Sequence, residues 1–146
     1  MIVLVDSGIL IRYFQPSDPA YNGIHSHILT IQSRGDELAV SLQNTVEFWN
    51  VCTRPRTSRG GLGLTISETQ RRLLILESRL PILDEHPDTY SIWRGMVIQH
   101  RVCGKQVHDA RLAALMLAHG ISHILTLNGV DFARYPGIVV VDPQVP

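Results

Sequence analysis

Short apolar runs alternate with longer segments of helical character along this chain. The runs Ile2–Val5, Glu37–Ser41, Pro81–Leu83, His123–Leu127 and Ile138–Val141 are rich in Val, Ile and Leu, and they predict strands. Ile2–Val5 is apolar at every position, which is typical of a strand buried on both faces of a parallel sheet. The alternation therefore predicts an α/β domain with a mainly parallel central sheet of about four to five strands flanked by helices.

Start and stop signals place helices between these strands. Capping residues mark most of the starts, and proline, glycine or a change of composition marks the ends. The predicted helices are Ile9–Phe14, Asp18 to about Arg34, Ser41 or Gln43 to about Arg54, Thr65 to about Arg79, Pro87 to about Val102, and Gln106–His119, whereas Asn128–Tyr135 is predicted as a loop or short turn.

The helix predicted at Gln106–His119 carries one acid, Asp109, beside its apolar residues. Leu112, Ala113 and Met116 follow Asp109 at spacings of three, four and seven, so they share its face and place it at the edge of the buried stripe. A carboxylate there needs a cation or several donors, because burial without a partner costs several kcal/mol or drives its protonation. Two interpretations remain open at this point: an acid that complements the helix dipole, or a metal ligand.

The composition describes one ordinary domain spanning residues 1–146, with 45% hydrophobic and 18% charged residues. The charges of the thirteen basic and thirteen acidic residues cancel, so the chain has no net positive charge that would indicate nucleic-acid binding. Cys52 and Cys103 are isolated thiols, as expected in a reducing cytosol. Asp6 interrupts the first apolar run too early for a signal peptide, and no apolar run is long enough to cross a bilayer. We therefore expect a cytoplasmic protein with no membrane association.

The basic residues are almost all arginine, with Lys105 the only lysine. Arg54, Arg56 and Arg59 cluster in a segment that ends at Gly63 and contains three glycines, so it combines positive charge with expected backbone freedom. Guanidinium groups bind phosphate in a forked geometry, so the cluster is a candidate for phosphate contacts. A solvated loop without function is the alternative.

Acidic and amide side chains from four segments are expected at one edge of the predicted sheet. Asp6 follows the first strand, and Asn128 and Asp131 follow the fourth; ligands of open α/β sheets bind beyond these carboxyl ends. Glu47 and Asp109 lie in the neighbouring helices beside apolar residues. Without a cation, like charges at that distance would raise one another's pKa. An oxygen-only ligand set suits Mg²⁺ or Mn²⁺, which lowers the pKa of a bound water and neutralises charge on a phosphodiester.

Other chemistries have weaker support in the sequence. The chain has no glycine-rich phosphate loop, no G-x-S-x-G motif and no cluster of Cys and His ligands. A phosphatase that uses Asp6 as nucleophile would need a second acid two residues later, where Gly8 stands. The acids therefore favour metal-dependent chemistry on a phosphodiester over these alternatives.

Four segments form an ordered pattern that covers nearly the whole chain: Ile2–Ser7 (IVLVDS), Thr45–Pro55 (TVEFWNVCTRP), His108–Ala114 (HDARLAA) and Thr126–Phe132 (TLNGVDF). Each segment is short, but their order and spacing are specific. Together they resemble a PIN domain, and most closely the toxin of bacterial Vap-type toxin–antitoxin pairs.

The resemblance implies an Mg²⁺- or Mn²⁺-dependent endoribonuclease that cuts RNA, often tRNA or rRNA. It also implies a homodimer and a cognate antitoxin that inserts a segment into the active-site groove, and it assigns Asp6, Glu47 and Asp109 to the metal-binding acids. Two positions depart from the family pattern. Gly8 stands where a small polar residue, often Asn, is usual, and Asn128 stands where many relatives have Asp, which leaves Asp131 as the fourth carboxylate.

Two hypotheses from different classes follow. In the first, a ribonuclease toxin holds its cation with the four acids, and Asn128 assists as a ligand. Ser7 and Thr126 are assigned to substrate binding together with Arg54, Arg56 and Arg59, which would position the RNA backbone. In the second, a PIN-like module binds RNA or protein with weak or no nuclease activity, which Gly8 and Asn128 favour.

Overall fold

One parallel sheet runs through the middle of the computed structural model, which describes residues 1–145. Its strands are β1 (Ile2–Val5), β2 (Glu37–Ser41), β3 (Ile82–Leu83), β4 (His123–Leu125) and β5 (Val139–Val141). All pairs are parallel and the order is β3-β2-β1-β4-β5, so β1 lies at the centre. The α/β class and the parallel sheet predicted from the sequence are confirmed, with five strands.

Seven helices accompany the sheet within the described range. They are α1 (Ser7–Arg12), α2 (Tyr21–Ser33), α3 (Leu42–Thr53), α4 (Ile66–Glu77), α5 (Thr89–Gln99), α6 (Gln106–Ala118) and α7 (Gly129–Ala133). Residues 1–145 contain no helix with the length and apolar character needed to span a membrane. The loop or turn predicted at Asn128–Tyr135 is wrong in part, because α7 forms there around the fully buried Phe132. Packing holds a helix too short to show periodicity in the sequence.

The start of α2 differs from its prediction, and the start of α3 is now defined to one residue. Asp18 does not cap α2; its carboxylate accepts from the Ala20 backbone N–H at 2.9 Å and pairs with Arg12 at 3.2 Å, so it organises the turn before the helix. Ser41 caps α3, because its hydroxyl accepts from Asn44 N at 3.1 Å while Asn44 Oδ1 accepts from Ser41 N at 3.0 Å. This reciprocal capping box settles the start of α3 at Ser41.

Side chains of β1 alternate between two apolar clusters on opposite faces of the sheet. Val3 and Val5 pack with buried residues of α1 to α4, and Leu4 packs with those of α5 to α7. Burial on both faces explains why Val3, Leu4 and Val5 are all apolar, whereas Ile2 at the start of the strand is exposed. Within α6, Ala110 and the run Leu112–Met116 are at most 1% exposed, so this helix is buried nearly all round instead of along one stripe.

The strand order changes direction next to β1. The chain runs outward from β1 through β2 to β3, then returns to place β4 on the other side of β1. Backbone pairing continues one residue past both strands, with Asp6 N donating to Leu125 O at 3.0 Å and Thr126 N to Val141 O at 3.1 Å. Asp6 and Thr126 therefore lie side by side at the switch point, where open α/β sheets form their ligand crevice.

Candidate active site

Asp6 lies at the centre of the crevice and is held by neutral donors. As the N-cap of α1, its Oδ1 accepts from Ser7 N at 2.8 Å, and its Oδ2 accepts from Thr126 Oγ1 at 2.7 Å. Burial raises the pKa of Asp6 against the lowering effect of these two hydrogen bonds, and the charge of Glu47 adds to the rise. A carboxylate whose pKa is raised in this way favours a nearby cation.

Glu47, on α3, is linked to Asp6 through Ser7. Its Oε2 accepts from Ser7 Oγ at 2.8 Å, while its Oε1 accepts from Gln43 Nε2 at 3.0 Å. Ser7 thus donates its backbone N–H to Asp6 and its hydroxyl to Glu47. Ser7 therefore holds two carboxylates close together, and its predicted role in substrate binding stays a prediction.

Thr126 connects Asp6 to the segment after β4. Its hydroxyl donates to Asp6 and accepts from Asn128 N at 3.0 Å, and Asn128 Nδ2 donates to Asp131 Oδ2 at 2.6 Å. Thr126 is fully buried, and its predicted role in substrate binding stays a prediction. It positions Asp6. Continuous hydrogen bonding therefore runs from Glu47 through Asp6 to Asp131.

Asp109, in the first turn of α6, completes the acid cluster of Asp6, Glu47, Asp109 and Asp131. Burial raises the pKa of Asp109 to about 6, and the charges of Asp6, Asp131 and Glu47 add to the rise. Lys105, one helical turn earlier, opposes it. Among residues 1–145, none forms a hydrogen bond or ion pair with its carboxylate. A half-buried acid with three like-charged neighbours and no partner fits a cation site better than an acid that only complements the helix dipole.

The donor set and its charge fit Mg²⁺ or Mn²⁺, since every candidate ligand is a carboxylate or amide oxygen. In the described part of the chain, no group of three or more His, Cys, Asp or Glu side chains is arranged to hold a metal ion as it stands. Each oxygen of Asp6 and Glu47 accepts one hydrogen bond from a protein donor, which leaves lone pairs for a cation. Hydrogen bonds of this kind orient the carboxylates that bind metal ions.

The raised pKa of Asp109 predicts how the metal-free protein responds to pH. Its carboxyl binds a proton more tightly in the folded protein than in the unfolded chain, where its pKa has the usual value of 3.8. The protonated carboxyl therefore stabilises the fold fully below about pH 4, and this contribution is lost as the pH rises towards 6. Asp109→Asn, which is neutral throughout, should match the wild type near pH 4. At pH 7.5 it should melt a few degrees higher, which corresponds to about 1 kcal/mol after allowance for solvent screening.

Thermal unfolding in EDTA at these two pH values measures the effect. A difference between the two proteins that does not change with pH would contradict the assigned cause.

The arginines predicted to contact phosphate lie apart from the acid cluster. Arg54 directly follows α3, seven residues after Glu47, which is about 10 Å along a helix axis. Arg56 and Arg59 are exposed, whereas Arg54 is half-buried. In the described range, none of the three bonds to an acid of the cluster. Arg54, where this basic segment begins, therefore lies about two helical turns from Glu47 along α3.

The glycines of this segment use their backbone freedom to shape a turn, since Gly60 and Gly63 adopt positive φ angles of 69° and 59°. Gly63 N donates to Arg54 O at 2.8 Å, and Arg56 Nε donates to Leu62 O at 3.1 Å, so the loop closes on itself. A Cβ at Gly61 would lie 2.2 Å from Pro55 O. The glycine permits a tight backbone approach there instead of mobility.

Two residues next to the acids were given no role from the sequence: Gln43 lies outside the four motifs, and Arg111 lies within His108–Ala114. Gln43 bonds to Glu47, and Arg111 bonds to Gln43 at 2.8 Å. The spacing of four between Gln43 and Glu47 is the signal that could have indicated the first contact, since such residues share a helix face. Arg111 gives no comparable local signal, because its partners lie far away in the chain.

Comparisons with known proteins agree with this fold. The PIN domain family matches residues 3–138. No curated protein matches the chain. It is similar in fold to VapBC2 from Rickettsia felis bound to a promoter DNA fragment (18% identity, TM-score 0.71, covering 97% of this chain and 98% of that one). It is also similar to VapBC-1 from nontypeable Haemophilus influenzae (18%, 0.70, 99% and 99%) and to the sarcin-ricin loop cleaving toxin VapC20 from Mycobacterium tuberculosis (16%, 0.65, 91% and 94%). The family match spans most of the chain, and this protein therefore belongs to the PIN domain family.

Proposed function

We propose that this protein is an endoribonuclease that depends on Mg²⁺ or Mn²⁺ and acts as the toxin of a toxin–antitoxin pair. The observation that carries the proposal is the acid cluster at the switch point of the sheet. Within it, Asp109 is half-buried, lacks a partner among residues 1–145, and has its pKa raised by burial and by the three other acids. Such a set of like charges is stabilised by a divalent cation.

Each member of the site has a role in this proposal. Asp6, Glu47, Asp109 and Asp131 would hold the cation, and Asn128 would offer its carbonyl oxygen, because its amide nitrogen already donates to Asp131. When bound, the cation lowers the pKa of a water and offsets charge on the phosphodiester. Ser7 and Thr126 hold the carboxylates of Asp6 and Glu47 in place by hydrogen bonds.

The basic segment would act at a distance from the reacting bond. Arg56 and Arg59 are exposed and follow Arg54, which lies about two helical turns beyond Glu47, so they suit phosphates further along the RNA. Arg54 is half-buried, with a buried Nε that no described atom accepts from. We assign the three arginines to positioning the RNA backbone, and none to the scissile phosphate.

The substrate and the partners are proposed from the resemblance, and the similar solved structures support them. RNA is proposed as substrate because VapC20 is a sarcin-ricin loop cleaving toxin, which favours structured RNA such as rRNA or tRNA. A cognate antitoxin is proposed because other relatives are VapBC complexes. A homodimer remains a prediction of the resemblance, and a cytoplasmic location remains a prediction of the composition.

Metal removal tests the proposal directly. The purified chain is expected to cleave at least one RNA in a panel of tRNA and rRNA fragments when Mn²⁺ or Mg²⁺ is present. EDTA should stop cleavage, and excess Mn²⁺ should restore it, since the cation neutralises charge that these acids otherwise concentrate. Cleavage that persists after chelation would contradict metal dependence, and a panel left intact would contradict the nuclease assignment.

A second candidate is a PIN-like module that binds RNA or protein with little or no cleavage. The observation that favours it is the engagement of Asp6 and Glu47, whose oxygens all accept hydrogen bonds from protein donors. In this candidate the hydrogen bonds make the acids part of a rigid polar network, and the protein takes up no cation. Cation uptake separates the two candidates.

A further inference from the structure

Gln43, in the first turn of α3, bonds to both sides of the acid cluster. Its Nε2 donates to Glu47 Oε1 at 3.0 Å and to the backbone carbonyl of His108 at 2.8 Å. Its Oε1 accepts from Arg111 Nη1 at 2.8 Å. Both amide N–H groups and the amide oxygen therefore form hydrogen bonds, so three partners fix the orientation of the amide.

Arg111 determines which way the Gln43 amide faces. The oxygen and nitrogen of a glutamine have almost the same shape, so the surrounding hydrogen bonds decide their assignment. A flipped amide would point its NH₂ at the guanidinium and its oxygen at two acceptors, Glu47 and the His108 carbonyl. Arg111 is held in turn by Glu85, whose Oε1 lies 2.8 Å from Arg111 Nη2. A relay thus runs from Glu85 through Arg111 and Gln43 to Glu47.

The contact with His108 relates Glu47 to Asp109. Helices α3 and α6 pack on opposite faces of the sheet, so a link between them has to pass over the sheet edge. His108 directly precedes Asp109 in the first turn of α6. One amide therefore bonds to the carboxylate of Glu47 and to the backbone beside Asp109, and it links the two helices at the acid cluster.

A neutral amide suits this position better than a charged side chain would. A lysine or arginine in direct contact with Glu47 would form an ion pair, and that cation would compete with a divalent ion for the carboxylate. Gln43 orients Glu47 through a hydrogen bond and adds no charge. The positive charge of Arg111 remains one residue further away, where it fixes the amide.

We propose that Gln43, fixed by Arg111, is a positioning residue that orients Glu47 towards the cation shared with Asp109. The proposal rests on the proposed function, because it requires that Glu47 be a ligand. Partners that orient metal-binding side chains typically contribute about 10- to 100-fold in metal affinity or activity. A loss of metal affinity of this size that depends on the presence of Glu47 distinguishes a positioning role from general support of the fold.

Calorimetric titration of the metal-free full chain with Mn²⁺ tests the proposal. Gln43→Met keeps the length of the side chain and removes its hydrogen bonds, so it should weaken Mn²⁺ binding about 10-fold or more. In a Glu47→Gln background, the same change should cause little further loss, because it acts through the missing carboxylate. Arg111→Lys should cause a smaller loss, since lysine lacks the fork that bonds to Gln43 and Glu85 together.

The matched control is Gln70→Met, the same change on the exposed face of α4, which should bind Mn²⁺ as the wild type does. Thermal unfolding without metal checks that each variant is folded. Wild-type affinity in Gln43→Met, or equal losses in both backgrounds, would overturn the positioning role. If Gln43→Met does not fold, wild-type affinity in Arg111→Lys would overturn it.

If the proposed function is wrong, the titrations should give different results. If the wild type takes up no Mn²⁺, or if Glu47→Gln binds it normally, the metal site itself is wrong and the positioning role falls with it. If Glu47→Gln loses affinity and Gln43→Met does not, only the positioning role is overturned.

Discussion

Asp109→Asn is expected to slow RNA cleavage by at least about 100-fold while the protein remains folded. Asp109 is the acid of the cluster whose carboxylate has no hydrogen-bond or ion-pair partner among residues 1–145, so its charge is the one most available to a cation. The amide has the same shape but carries no charge, and several kcal/mol of electrostatic stabilisation of the reacting phosphodiester would be lost. Single-turnover cleavage in Mn²⁺, with enzyme in excess over RNA, measures the effect.

Two comparisons make this result specific. Asp88→Asn removes an exposed carboxylate outside the cluster and should cleave at the wild-type rate. The melting temperature of Asp109→Asn in EDTA should not fall, because the substitution relieves repulsion from Asp6, Asp131 and Glu47. Full activity of Asp109→Asn in Mn²⁺ would remove Asp109 from the site.

Asp6→Asn is expected to abolish measurable Mn²⁺ uptake. Asp6 lies between Glu47 and the segment after β4, so its charge is shared by both halves of the cluster. Asparagine is as good an N-cap as aspartate, so the start of α1 and the fold should be preserved. Calorimetric titration of the metal-free protein with Mn²⁺ measures the loss, and Asp88→Asn again serves as the control.

This experiment also separates the two candidate functions. A nuclease should lose Mn²⁺ uptake and cleavage together in Asp6→Asn. A module that only binds RNA or protein should show no Mn²⁺ uptake that depends on Asp6, and its binding should be independent of the cation. Wild-type Mn²⁺ uptake by Asp6→Asn would contradict the central position that we assign to this residue.

The two departures from the family pattern have different structural consequences. A Cβ at Gly8 would lie 3.4 Å from Arg12 Nη1, which is ordinary contact with a flexible side chain, so packing does not require glycine there. Asn128 donates to Asp131 at 2.6 Å, and an aspartate at that position would instead face a second carboxylate. The asparagine therefore orients Asp131, and the fourth carboxylate of this site depends on it.

The sequence by itself determined the layout of this protein. In the run Ile2–Val5, Val3, Leu4 and Val5 are apolar because β1 is covered on both faces there, and that local pattern was enough to predict a parallel sheet. The placement of Asp6 and Asn128 at one edge followed from their positions directly after strands, because parallel strands end at the same edge. Both inferences depend on neighbours in the chain, which a sequence displays directly.

Only the tertiary structure decided how the side chains of the site are connected. Thr126 is of a residue type that is usually exposed, but it is fully buried between Asp6 and Asn128. The contacts of Gln43 with His108 and Arg111 join segments more than 60 residues apart. Burial and hydrogen bonds of this kind arise from packing between distant elements. No local pattern encodes them, so the acids that we propose as metal ligands could be chosen from the sequence, whereas the residues that hydrogen-bond to them could not.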